Sequence, residues 1–309
     1  MTLNELLIAV ASVYGQTVDP TSATYNAVDL SRIIGAINRA RDRVIADLKL
    51  VSFKTTTFTT TASTFLYTPF RDMGQILSIR HRASKTPLLP ITAQHFYRLV
   101  GDTSSGASGN PRYYVDSLGP DAGGFNQIGL YPVPASADTI DIIYRIVPRP
   151  LANLNYTTGT ITLAASTAVV GSSTTFTAQM VGRYLRGTND GYWYQISGFT
   201  STTAITLAKS FEGTTGASLA YTIAERPALN GQDDSFDMAI VTYAQYLLLL
   251  SDKNMDAIII LKSEYKDQIK SLRSYLQSNI NKTNVMESED EGVSLAEAVF
   301  GYRKLDGWL

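Results

Sequence analysis

The amino-acid sequence predicts an α+β protein: a helical bundle with a small antiparallel β-sheet body, plus an inserted all-β module of sandwich or barrel type. Three observations carry that expectation. Apolar residues recur at helical spacing near both ends of the chain, and they alternate with polar residues between about Phe53 and Ile146. From about residue 155 to 225 the composition shifts to Thr, Ser, Gly and Ala, in short alternating stretches separated by Gly-containing turns.

The elements follow in order. Thr2 and Glu5 stand at capping-box spacing before Leu3, Leu6, Leu7, Val10 and Val13, which predicts a first helix ending at Gly15. Asp29 is the expected cap of a second helix, whose Ile33, Ile34, Ile37, Val44, Ile45 and Leu48 line one face while Arg32, Arg39 and Arg43 share another. Strands are expected at Phe53–Thr61, Phe65–Tyr67 and Ile76–Ile79, a short helix at Thr92–Val100, and a polar loop over 101–111. Further strands are expected at Arg112–Asp116, Gln127–Tyr131 and Thr139–Ile146, then within the module at Thr160–Leu163, Arg183–Arg186, Tyr192–Ile196, Ala204–Leu207 and Leu219–Ile223. After Pro227, Asp233 or Asp234 is the expected cap of a helix striped by Phe236, Ala239, Ile240, Tyr243, Leu247 and Leu250. A long partner helix buries Ile258, Leu261, Tyr265, Leu272 and Leu276, giving an antiparallel hairpin.

Composition excludes several functional classes. The 309 residues hold no cysteine and two histidines, so thiolate zinc sites, iron–sulfur clusters, disulfides and a cysteine nucleophile are out, and no cofactor or metal is expected. The net charge of -1 provides no global field for nucleic acid. The N-terminal stretch lacks a basic region and carries Glu5, so it does not read as a secretory signal. The longest apolar runs, Tyr246–Leu250 and Ala257–Leu261, fall far short of the ~20 residues of a spanning helix, so a soluble protein is expected.

No nucleophile elbow, P-loop or dinucleotide glycine pattern occurs. His81 and His95 have no acid or serine in sequence register and read as structural, so no enzyme is expected. Asp116, Asp121, Asp138 and Asp141 leave a two-carboxylate glycosidase as a third-ranked reading, although each is equally a turn or strand-edge residue. Tyr192, Trp193 and Tyr194 are the candidate glycan contact of a carbohydrate- or receptor-binding protein; as a strand they split between two faces, which favours a core role. Lys262, Lys266, Lys270 and Arg273 form a candidate basic face toward DNA or an acidic partner, with Glu264 and Asp267 interrupting it and a solvated face as the plain alternative.

Beyond the acidic run Glu287-Ser-Glu-Asp-Glu291, expected to be solvated, Ser294 and Glu297 stand at capping-box spacing in an apolar terminus. Leu295, Phe300, Tyr302, Leu305, Trp308 and Leu309 are the candidate docking residues, either on the chain's own helix hairpin or on a neighbouring protein.

The order of parts carries a resemblance. Arg39-Ala-Arg-Asp-Arg43, Gly109-Asn-Pro-Arg-Tyr-Tyr-Val115, Gly129-Leu-Tyr-Pro-Val-Pro134, Ile142-Ile-Tyr-Arg-Ile146 and Pro148 through Leu151 are followed, after the module, by Arg226-Pro227, by Gly231 through Ile240, and by Glu264-Tyr265. In this order the chain, over most of residues 1 to 280, resembles head-to-tail adaptor proteins of tailed bacteriophages. The module resembles β modules of phage virion proteins through Val170 to Arg183, Ile205-Thr-Leu207 and Phe211-Glu-Gly213. The resemblance implies a virion protein at the head–tail interface, forming a ring of about twelve copies between the portal and the tail or nozzle proteins. It also implies that DNA passes unread, which the near-neutral charge favours because a strongly basic lumen retains phosphates. The expected domains are an adaptor body (1–154 and 226–280), the inserted module (155–225), and an acidic linker with a docking arm (281–309).

Overall fold

Local signals at the N-terminus are realised atom by atom. The computed structural model describes residues 1–14, 27–50, 53–70, 72–101, 107–116, 118–122, 125–227, 229, 234–252 and 255–287. Helix α1 (Leu3–Ala11) opens in the expected capping box: Thr2 Oγ1 accepts from the Glu5 amide at 3.2 Å, and Glu5 Oε2 accepts from the Thr2 amide at 2.7 Å. Helix α2 (Ala27–Leu48) starts before Asp29, which lies in the first turn and not at the cap, still at the positive end of the helix dipole. Its buried face is Ile33, Ala36, Ile37, Ala40, Val44 and Leu48.

Contacts divide the chain into two compact units, Val51–Pro150 and the combination of Met1–Leu50 with Leu151–Leu309. The first contains strands β1 (Phe53–Thr59), β2 (Leu66–Tyr67), β3 (Met73–His81), β4 (Thr86–Pro87) and β5 (Leu89–Pro90), helix α3 (Ala93–Val100), then β6 (Ser108–Gly109), β7 (Tyr113–Val115), β8 (Ile128–Tyr131), β9 (Val133–Pro134) and β10 (Thr139–Ile146). One sheet runs β1-β10-β3-β4, all antiparallel; a second runs β2-β8-β7-β5, with β5 and β7 parallel. Alternation along β10 buries Ile140, Ile142 and Tyr144, which meet Met73, Ile76 and Ile79 of β3 in one core. Tyr144 stacks on Phe70 at 5.3 Å between centroids, and its hydroxyl donates to Asp72 Oδ1 at 2.7 Å. Helix α3, capped by Thr92, buries Phe96 against Val115. That close approach needs Gly129 in β8, where an added Cβ atom would lie 2.6 Å from Phe96 Cζ and 2.7 Å from Val115 Cγ1.

In the other unit the Thr/Ser/Gly-rich segment forms seven strands: β11 (Thr160–Leu163), β12 (Ala168–Ser172), β13 (Tyr184–Gly187), β14 (Tyr194–Ser201), β15 (Ala204–Leu207), β16 (Gly216–Leu219) and β17 (Tyr221–Ala224). They make one antiparallel sheet in the order β16-β11-β12-β15-β14-β13-β17, a half-barrel closed around Phe176, Phe211, Tyr221, Leu185 and Ile196. Its edge strands β16 and β17 are consecutive in sequence, separated by Ala220, so the chain itself draws the two edges together. Two features depart from expectation. Strand β12 alternates in burial, with Val169 buried and Gly171 half-buried between exposed neighbours, but the exposed Val170 and the side-chain-less Gly171 leave no apolar alternation in its residues, and the single expected strand at Leu219–Ile223 is broken at Ala220 into two.

Helix α4 (Asp237–Asp252) starts after both expected caps; Asp237 lies in its first turn. Ala239, Ile240, Val241, Ala244, Leu248 and Leu249 are all buried, because α4 packs with α1, α2 and the last helix in one core, while Leu250 is exposed. Helix α5 (Met255–Glu287) buries Tyr265 and Ile269 in that core, with Leu272 and Leu276 partly buried against it; Ile258 is buried outside that cluster and Leu261 is only half-buried. No described helix is long and apolar enough to cross a membrane.

Candidate functional site

The residues assigned to the basic face come together on α5. Lys262, Lys266, Lys270 and Arg273 are all exposed. At ~100° per residue they fall within ~80° of arc, and Glu264 and Asp267 fall outside it. The acids therefore do not interrupt the stripe: Glu264 Oε1 accepts from Gln268 Nε2 at 3.3 Å, and that same nitrogen reaches Thr242 Oγ1 of α4 at 3.1 Å, which fixes Glu264 on the α4 side. On the α2 side, Lys266, Lys270 and Arg273 line a groove of about 520 Å³ with Asp47, Tyr265, Ser274 and Gln277.

Asp47 organises the floor of this groove. Its Oδ2 accepts from Arg43 Nε at 2.9 Å and from the Tyr265 hydroxyl at 2.8 Å, and its carbonyl accepts from Arg273 Nη2 at 2.6 Å. Burial, reinforced by the Asp47 carboxylate, pushes the Tyr265 phenol well above its ordinary range, so it remains a hydrogen donor. The Tyr265 ring packs on Tyr243 at 4.7 Å between centroids, which ties the groove wall to α4. With Asp47 matched to Arg43, the groove presents uncompensated lysines; none of Lys262, Lys266 and Lys270 has an ion-pair partner among the described residues.

The three aromatic candidates are not assembled into one exposed face. Strand β14 begins at Tyr194, whose ring is buried against Phe211 at 5.1 Å and whose hydroxyl donates to Asp190 Oδ2. Trp193 is 8% exposed, with the Arg186 guanidinium 4.5 Å and that of Arg226 5.3 Å from its ring, while Tyr192 is 65% exposed. Leu295, Phe300, Tyr302, Leu305, Trp308 and Leu309 lie outside the described residues.

His81 has the serine and the acid that its sequence neighbourhood does not reveal. Ser84 Oγ lies 2.8 Å from Nδ1 and Asp138 Oδ2 lies 3.6 Å from Nε2. The Ser84 amide also donates to Nδ1 at 3.2 Å, so that nitrogen is an acceptor and the proton sits on Nε2. This arrangement caps the β3–β4 hairpin around a ring that is 2% exposed. The other carboxylate candidates do structural work: Asp141 is clamped by Arg80 at 2.7 Å and Arg82 at 2.8 Å, and Asp121 Oδ1 accepts from the Phe125 amide. The Arg80 hydrogen bond is the main cause holding Asp141 below the usual carboxylate range. Among the described residues no group of three or more His, Asp or Glu is arranged to hold a metal ion.

A buried polar junction escapes any reading by sequence pattern. Glu225, directly after β17, accepts from the Ala152 amide at 2.5 Å, the Asn153 amide at 2.9 Å and Asn153 Nδ2 at 2.7 Å, and its carbonyl accepts from the Leu3 amide. The segment leading into the half-barrel, the strand leaving it and the start of α1 are thus joined by one carboxylate and its backbone. A faint signal exists in Glu225-Arg226-Pro227, two opposite charges where the pattern changes from strand to helix.

The family model of the SU10 adaptor protein matches residues 1–169, more than half of the 309-residue chain. The chain belongs to the SU10 adaptor protein family. This is a phage head-tail adaptor family, so the protein is a structural component of a phage virion that binds other virion proteins. The match spans α1, α2, the whole Val51–Pro150 unit, β11 and the first residues of β12. It includes Arg39–Arg43, Gly109–Val115, Gly129–Pro134, Ile142–Ile146 and Pro148–Leu151 of the segments on which the resemblance to head-to-tail adaptors rests, while Arg226-Pro227, Gly231–Ile240 and Glu264-Tyr265 lie beyond it. No curated protein matches the chain.

Proposed function

We propose that the chain assembles as a ring of about twelve copies that joins the phage portal to the tail or nozzle proteins and lets DNA pass without sequence readout. Membership of the SU10 adaptor family over residues 1–169 is the observation that carries this reading. The net charge of -1 supports it, since passage favours a lumen that does not hold phosphates by counterion release. The helical unit faces the portal and the Val51–Pro150 sheets face the tail, while the half-barrel is an outward decoration. Leu295, Phe300, Tyr302, Leu305, Trp308 and Leu309 form the arm that docks on the portal or a neighbouring copy, with Trp308 as its anchor because large aromatics dominate interface energetics. The protein is not a catalyst and takes no cofactor; it resides at the head–tail interface of the virion and in the host cytoplasm during assembly.

Native mass spectrometry of the chain mixed with the portal ring of the same phage tests this. Near-equimolar binding as a closed ring is expected, and a persistent monomer that never joins the portal overturns the reading. Deleting 293–309 should abolish assembly on the portal while leaving the thermal melt unchanged; full assembly by the truncated chain removes the arm from the mechanism.

A further inference from the structure

We infer that the lysine stripe of α5 receives the acidic segment 287–291 of a second copy of this chain, joining copies head to tail. This rests on the ring reading above and names the surfaces by which its copies meet. Lys262, Lys266 and Lys270 form an unpaired run beside a groove whose one carboxylate, Asp47, is already bonded to Arg43 and Tyr265. The same chain carries four carboxylates in five residues, Glu287-Ser-Glu-Asp-Glu291, where α5 ends. The two charge runs are complementary.

Reach decides which copy supplies the acids. At ~1.5 Å per helical residue, Lys266 lies ~32 Å and Lys262 ~38 Å back along α5 from Glu287. At ~3.6 Å per extended residue, Glu291 stands at most ~14 Å beyond Glu287. Folding back leaves a gap of ~18 Å to Lys266 and more to Lys262, wider than a lysine and a glutamate side chain together can span, whereas Lys270, ~26 Å back, comes within ~12 Å of a fully extended Glu291. The acids of one copy therefore cannot satisfy Lys262 and Lys266 of its own stripe, whereas those of a second copy meet no such limit. A contact between two different surfaces on each copy is heterologous, and repetition of it generates a closed ring when its rotation closes.

The test reverses each charge run in the full chain: Lys262→Glu, Lys266→Glu and Lys270→Glu in one variant, Glu289→Lys, Asp290→Lys and Glu291→Lys in the other. All six residues lie on exposed helix surface or beyond the described residues, and matching thermal melts establish that both variants fold. Sedimentation velocity is run at low and high salt, alone and with the portal ring. Wild type should self-associate more weakly as salt rises, each variant alone should associate roughly ten- to hundredfold less, and an equimolar mixture should regain association because each reversed surface finds its complement. Wild type that is monomeric under every condition, or a mixture that regains nothing, overturns the inference. Retention of duplex DNA that is lost on reversing the stripe yet indifferent to reversing the segment also overturns it and assigns the stripe to nucleic acid. A restored mixture that ignores the portal sinks the adaptor reading and leaves this pairing standing, and portal binding without restoration does the converse.

Discussion

Asp237 is the clearest case in which one side chain sets a measurable property of the whole. Burial raises its carboxyl to about 6 from an ordinary 3.8, against the opposing pull of the Met1 ammonium at 2.5 Å. The folded chain therefore keeps a proton that the unfolded chain releases, and stability falls as pH rises from about 4 to about 6, by on the order of 2–3 kcal/mol. Asp141 works in the opposite sense: its clamp by Arg80 and Arg82 is present above about pH 4 and is lost as pH falls further. Urea denaturation of Asp237→Asn at pH 4.5 and pH 7 should show a flatter dependence than wild type, and an unchanged difference counts against this assignment. At Gly129 the expectation is steric. Gly129→Ala places a methyl within 2.9 Å of Phe96, Val115 and Leu118, an overpacking that should cost roughly 1–3 kcal/mol in the denaturant midpoint.

Elements show where sequence is legible. The α1 capping box needs only Thr2 and Glu5, both within the helix's own first turn, so it is readable without any partner; Thr2→Ala should cost ~1 kcal/mol by loss of midpoint in chemical denaturation. Strand β10 was equally plain, its bounds Thr139–Ile146 coinciding with the expected ones, because one face is buried and the other wet. Strand β12 also turns one face inward, but its inward positions are Val169 and Gly171 and the exposed position between them is Val170, so residue type does not mark the faces. The stripe of α4 shifts from the predicted positions because three helices cover it, so burial runs around the helix and no single face is marked. On α5 spacing alone places the lysines on one face and Glu264 and Asp267 off it, but that Glu264 is held toward α4 depended on Gln268 and Thr242, which lie on two helices.

At the scale of the molecule, the half-barrel leaves and rejoins the helical unit at neighbouring points. Tyr156 and Ile223 exchange backbone hydrogen bonds of 2.8 Å, so the ends of the insertion are already adjacent. Replacing 157–222 by a short Gly/Ser linker should leave helical circular dichroism and portal binding intact; loss of the helical signal makes the half-barrel part of the fold, and loss of binding alone makes it part of the interface. Most of the half-barrel's strands could be read from alternation, but its curvature could not, since closure depends on which strands pair and not on any strand's own pattern.

By itself the sequence determined the α+β class, the capping of α1, most strand positions, the absence of thiol chemistry and the membership that the order of motifs suggests. These depend on local period, on composition or on residues close in the chain. Only the tertiary structure decided that His81 meets Ser84 and Asp138, that Trp193 is covered by two guanidiniums, that Glu225 ties three segments together, and that the α5 lysines stand unpaired beside an already satisfied Asp47. Each of these joins residues distant in sequence or turns on burial, and a pattern along one chain carries neither the distance between two side chains nor the water excluded from them.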